Sequence, residues 1–166
     1  MPVTYDDYPF GFSWLPRDTL RRTSHALATD DGVWLVDPVD VPEALERAAA
    51  LGDLAGVLQL PRWHEIALWW PEHRALVVAE LIGTVRAFAP GGGPAGVHPL
   101  LRVAPPGALR DYPAEHLLVG HGPGVHGPAA SAALAGAYAR SRRDLPRLVG
   151  MLPAMARAAV ATRRPR

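Results

Sequence analysis

The sequence predicts an α/β domain of layered β-sheets flanked by helices. Three observations predict it. A hairpin signal, Asp30-Asp31-Gly32, sits between two apolar-rich runs. A helical stretch with start and stop signals follows it, "DVPEALERAAALG". After that, strand-like and helical segments alternate to the end of the chain, the pattern of a layered α/β domain rather than a bundle. A chain of 166 residues suits one domain with a real core. The expected organisation is an N-terminal arm over 1–18, one domain over 19–150 and a helical, basic tail over 151–166.

Residues 1–18 carry Tyr5, Tyr8, Phe10, Phe12 and Trp14 with little periodicity, which predicts an arm or irregular strand laid on the core. In "SHALATDDGVWLVDP" the two runs of a hairpin flank the Asp-Asp-Gly turn, and the second ends at Asp37-Pro38. In the next helix Asp40 is the expected N-cap and Glu43 the third helical residue, a capping-box pattern. Pro42 fits its first turn and Gly52 its end. "GVLQL" (Gly56 to Leu60) reads as a short buried strand. Ile66 to Trp70 and Ala75 to Ala79 read as a second hairpin turned by Pro71-Glu72-His73-Arg74. "APGGGPAG" is a Gly- and Pro-rich loop, "LLVG" a further strand, and "GPAASAALAGAYARSRR" a helix opened by Pro128 and interrupted at Asp144-Leu145-Pro146.

Composition narrows the functions. A formal net charge of +1 gives no reason to expect nucleic acid or an anionic membrane as partner. The absence of Cys excludes disulfides, thiol catalysis, Cys-ligated zinc and iron–sulfur clusters. No apolar run approaches the roughly 20 residues of a membrane span. The N-terminus lacks the basic and apolar regions of a secretory signal, so a cytoplasmic protein is expected. Every basic side chain is Arg and none is Lys, so Arg at one site is weaker evidence of bidentate recognition than usual.

Several motifs bear on chemistry. In "WHEIALWW" the zincin pattern fails, because the position four after His64 is Leu68 and Pro71 forbids a long helix. "GGGPAG" lacks the Lys and helix of a phosphate loop, and no Ser sits in a nucleophile elbow. His121 follows an apolar strand between Gly120 and Gly122, which permit close approach of another group. Ligands in α/β sheets sit beyond the carboxyl ends of strands, which makes His121 a candidate site residue. His126, on the outgoing loop, could face the same crevice. Glu80 and Asp37 each end a strand in the same manner. From Arg140 to Arg166 there are eight Arg and one acid, Asp144, a run that reads either as a solvated face or as a contact for anions.

Together these pieces resemble the metallo-β-lactamase fold over roughly residues 22–145. "ALATDDGVWLVDPV" resembles the family's entry hairpin, "LWWPEHRALVVAEL" the strand pair leading to its bridging metal ligand, and "LLVGHGPGVHG" the strand end carrying its last histidine ligand. The family signature H-x-H-x-D-H is missing: "GVLQL" runs into "PRWHEIALWW", and the chain is shortened there. The resemblance implies His121 as a metal ligand, Glu80 in place of the bridging Asp, and His64 near the middle histidine. Asp37 and His126 would border the pocket.

Three readings follow. The first is a degenerate member of the fold without a dinuclear zinc hydrolase centre, serving as a binding or accessory domain with no cofactor. The second is a mononuclear hydrolase holding zinc or another divalent metal on His64, Glu80 and His121. The third is an interaction module, homodimeric or with another protein, that uses Trp63, Trp69 and Trp70. Adjacent Trp69 and Trp70 place one ring on each face of a strand, where they either meet a partner or are covered within the domain.

Overall fold

Alternation of burial along single strands organises the molecule. A computed structural model describes residues 2–17, 22–60, 67–151 and 153. Strands β1 (Val3–Tyr8), β2 (Gly11–Pro16), β3 (Ser24–Thr29), β4 (Gly32–Val36) and β5 (Leu54–Leu58) form one sheet in chain order. Strands β6 (Ala67–Trp70), β7 (Ala75–Val78), β10 (His116–Val119) and β11 (Val125–His126) form a second, ordered β11-β10-β7-β6. A short pair, β8 (Ile82–Gly83) and β9 (Gly96–Val97), lies beside it. Helix α1 (Pro42–Ala49) connects β4 to β5, α2 (Ala129–Arg140) follows β11, and a further helical segment runs over 145–151.

Odd and even residues of each strand enter different cores. On β7, Ala75 and Val77 pack toward Tyr8, Phe10, Leu27 and Val36 of the first sheet, while Leu76 and Val78 pack toward Leu134, Ala137 and Tyr138 of α2. On β4, Val36 joins the inter-sheet core, while Val33 and Leu35 meet Ala44 and Ala48 of α1. The layers therefore run helix, sheet, sheet, helix. With both faces of each sheet covered, the central strands read as continuous apolar runs, without the clean alternation of a half-exposed strand.

That double coverage explains the first departure from expectation. Residues 3–16, expected as part of an arm, form a regular antiparallel hairpin that extends the first sheet. Phe12 and Trp14 pack toward α1, whereas Ser13 and His25 lie buried on the opposite side, so no polar alternation marked β2 in the sequence. Gly11 is required there: it has φ +150°, and a Cβ would lie 2.0 Å from the Ala26 carbonyl.

Other elements fall near their predicted places. The Thr29↔Gly32 pair closes the predicted hairpin around Asp30-Asp31, and the Thr29 hydroxyl accepts from Asp31 N. Pro71–His73 form one 3₁₀ turn ending at Arg74, in the left-handed region with φ +47°. Helix α1 differs by one position. Pro42, with its fixed φ, occupies the first helical residue, so Val41 and not Asp40 is the N-cap and no side chain caps the helix. The strand expected at 56–60 lies at Leu54–Leu58 and is an edge strand, with Leu54 62% and Val57 50% exposed. The 89–96 loop is pinned: Arg140 Nη2 donates to Ala95 O, and Gly96 pairs with Gly83. Of the tail, only 151 and 153 are described, both helical; the remainder lies outside the described residues. Among the described residues no helix is long and apolar enough to cross a membrane.

A buried polar chain joins the two sheets. The Ser13 hydroxyl lies 3.3 Å from the Tyr8 phenol and 2.8 Å from His25 Nδ1, within hydrogen-bond reach of both. The His25 imidazole also hydrogen-bonds the backbone of Val119 on β10, in the facing sheet. Burial holds the imidazole neutral and lowers its pKa to about 4. The folded chain therefore refuses a proton that the unfolded chain accepts near pH 6.5. Stability contributed by neutral His25 is complete above pH 6.5 and lost as pH falls toward 4, by roughly 3 kcal/mol at the lower end. His98 and His116, also lowered chiefly by burial, act in the same direction. Urea titrations at pH 7.5 and pH 4.5 should show this fall, and His25→Gln should flatten it. An unchanged pH slope in that variant would remove His25 from the account.

Candidate functional site

Four strands end at one edge of the sandwich. β4 and β5 run parallel in one sheet and β7 and β10 run parallel in the other. Just beyond their carboxyl ends stand Asp37, Gln59, Glu80 and His121. Thr23 ties the sheets at this edge: its N–H donates to Gly120 O at 2.8 Å and its hydroxyl to Gly122 O at 2.7 Å. An isolated backbone bridge between Arg22 and His121 adds to the seam. The result is a cavity of about 410 Å³ lined by Arg22, Thr23, Asp37, Gln59, Glu80 and Gly120, among others. That volume lies in the range of small-molecule pockets, and strand carboxyl ends are where such pockets form.

The predicted glycine geometry around His121 is present. A Cβ on Gly120 would meet the Ala79 carbonyl at 2.0 Å, and Gly122 turns the chain with φ +99°. The turn carries His121 over Glu80, with Nε2 3.2 Å from Oε2. The ring stacks on Phe88 at 5.2 Å between centroids, and Thr84 N donates to the His121 carbonyl. His98 lies close enough to feel the charges of both Glu80 and His121, although burial is the larger influence and lowers its pKa.

Asp37 serves a different purpose from a free carboxylate. It adopts φ +46°, a conformation that Asp tolerates better than bulkier residues. Its Oδ1 accepts from Gln59 Nε2 at 2.7 Å and from Leu60 N at 2.8 Å. Its N–H donates to Leu58 O, and its carbonyl accepts from the Ser24 hydroxyl. One residue thus fastens the ends of β3, β4 and β5.

The structure therefore brings Glu80 and His121 into contact and places Asp37 on the same cavity. His64 lies outside the described residues, as does Trp63. His126 does not face this crevice. The turn at Gly122 sends β11 back along β10, so His126 pairs with His116 at the opposite end of the strand. Five residues at about 3.3 Å each put that end roughly 16 Å away. There His126 Nε2 lies 3.2 Å from Asp6, and its Nδ1 lies 2.8 Å from His116 Nδ1. The His126 bond holds the Asp6 carboxyl below its ordinary range, with help from Gly124 N–H.

The donor set can be tested against the metals implied by resemblance. A catalytic zinc takes about three protein ligands, and a dinuclear pair takes more. Among the described residues no three His, Asp or Glu side chains converge. Glu80 and His121 supply two groups, and Asp37 Oδ1 is taken up by Gln59 and Leu60. These residues do not fit a dinuclear centre. Trp69 and Trp70 do take opposite faces, and each meets the chain itself: Trp69 packs on Tyr112 at 5.2 Å, and Trp70 on Phe10 at 5.3 Å.

Arg22, Thr23 and Gln59 were not singled out in the sequence. Gln59 lay inside the strand expected over 56–60, whereas β5 ends at Leu58; Arg22 and Thr23 reach the cavity through pairing between sheets, which has no local signature. No protein-family model and no curated protein sequence matches the chain. Replacing Asp37 by Ala should cost about 1–3 kcal/mol, since two donors lose their acceptor. Asp37→Asn, which keeps an accepting oxygen, should retain most of it. Equal stability of the Ala variant and the parent in urea would show that the fastening is unimportant.

Proposed function

We propose that the chain is a shortened metallo-β-lactamase-like domain whose strand-end cavity binds a small polar molecule carrying an anionic group, without dinuclear metal hydrolysis. The helix–sheet–sheet–helix layering supports the fold part of this reading, as does a cavity beyond the ends of β4, β5, β7 and β10. One observation carries the binding part. The carboxylates of Asp37 and Glu80 contact protein donors, whereas Arg22, on the cavity wall, forms no salt bridge among the described residues. An anionic ligand in the cavity would supply that missing partner for the Arg22 charge. Glu80 and Asp37 would then favour a ligand whose remainder is cationic or rich in N–H donors.

A mononuclear metal site is the second reading, and one distance favours it. A separation of 3.2 Å between Glu80 Oε2 and His121 Nε2 is also what two neighbouring ligands of one tetrahedral zinc would show. His64 would be the third ligand in that reading.

Two measurements separate these. Protein purified without a metal-binding tag should contain far less than one zinc, manganese or iron per chain, and added zinc should leave its melting temperature unchanged. Near-stoichiometric metal that disappears in His121→Ala would establish the second reading instead. Small carboxylates and zwitterions should raise the melting temperature of the parent and not of Arg22→Ala. Equal shifts in both proteins would place the ligand elsewhere.

A further inference from the structure

A second concavity, of about 620 Å³, is bordered by Arg110, Arg142, Arg143, Tyr138, Pro105 and Ser141 among others. It shares no lining residue with the strand-end cavity. Its three arginines come from two parts of the chain. Arg110 caps the 3₁₀ turn Gly107–Leu109, while Arg142 and Arg143 follow α2. An all-Arg basic complement makes any one of them unremarked; their convergence on one concavity is the informative feature.

The three charges are not matched by protein acids. The salt bridges of the described residues use Arg47, Arg74, Arg102, Arg147, His121 and His126, and none of these three. The acid nearest in sequence to Arg143 is Asp144, which is 3% exposed and already faces Arg102 and Arg147. Asp111, beside Arg110, is exposed and forms no salt bridge with it. Two of the guanidiniums are also held in place. Arg142 Nε donates to Val103 O at 2.8 Å, which leaves its two Nη groups as donors. Arg110 lies over the Tyr138 ring, 5.4 Å from its centroid. Side chains fixed in this way lose less freedom when they bind.

Three guanidiniums at one concavity suit a dianion or a polyanion better than a single carboxylate. Planar guanidinium forks match phosphate oxygens two at a time. The volume lies within the range for small ligands. We propose that this concavity binds a phosphate-bearing small molecule. Its phosphate oxygens bridge Arg110, Arg142 and Arg143, and the rest of it lies against Tyr138 and Pro105.

Isothermal titration of the intact chain with pyrophosphate, and with inorganic phosphate, tests this. Pyrophosphate should bind more tightly than phosphate, and both should weaken as sodium chloride is raised. Arg142→Ala and Arg143→Ala should each weaken pyrophosphate at least about tenfold, the loss of one strong ion pair. Arg143→Lys, which keeps the charge and loses the fork, should fall between. All three positions are exposed, and circular dichroism checks that the variants fold. Arg86→Ala, exposed and outside both cavities, should bind pyrophosphate as the parent does. Absence of pyrophosphate binding at low salt would overturn the proposal. So would equal affinity in the parent and the two alanine variants, which would mean diffuse attraction to a basic surface.

Discussion

The contact on which the strand-end geometry depends is the hydrogen bond from His25 to the backbone of Val119. Apolar packing between Leu27, Val36, Val77 and Leu118 holds the sheets together but is tolerant of sliding. A directional bond from a buried imidazole is not, because a shift of one residue would leave both groups unpaired in the interior. His25 is three residues from Arg22 and Val119 is two from His121. The register that satisfies this bond also brings Thr23 onto Gly120 and Gly122. The cavity is thus a by-product of how two sheets are aligned, and its walls come from both.

The same alignment separates the histidines into two groups with different surroundings. At the carboxyl end of β10, His121 meets Glu80, Phe88 and the field of His98. At the amino end, His116 and His126 meet Asp6, Tyr8 and Phe10. His126 bridges Asp6 and His116, its Nε2 against the Asp6 carboxylate and its Nδ1 against His116 Nδ1. The first group opens on a cavity. The second ties the N-terminal hairpin to the second sheet and behaves as a structural clasp.

Much of the layering was legible in the residues. Asp30-Asp31-Gly32 and Pro71 to Arg74 marked hairpins because turn chemistry is local. The tight packing around His121 was legible because its flanking glycines signal close approach, and the Ala79 carbonyl does lie against Gly120. Three features escaped. The hairpin of 3–16 was hidden because Phe12, Ser13 and Trp14 are all buried, which erases the period of two. Arg22 depends on pairing with a strand about a hundred residues later, which nothing nearby encodes. His126 was assigned to the wrong end because the turn at Gly122 reverses the chain, and five residues of sequence became a full strand length of distance.

The order of strands has a consequence for how the protein is made. The first sheet is complete once residue 58 has left the ribosome, but the face carrying Tyr8, Phe10, Leu27 and Val36 is covered by β6, β7 and β10. β6 and β7 end by Val78, but β10, which supplies Leu118, ends only at Val119, so part of a greasy plane stays naked while about sixty further residues are translated. Nascent chains in that condition are prone to sticking to one another, and they lean on holdase chaperones. A domain whose two halves cover each other this late gains from an escort to its own completion.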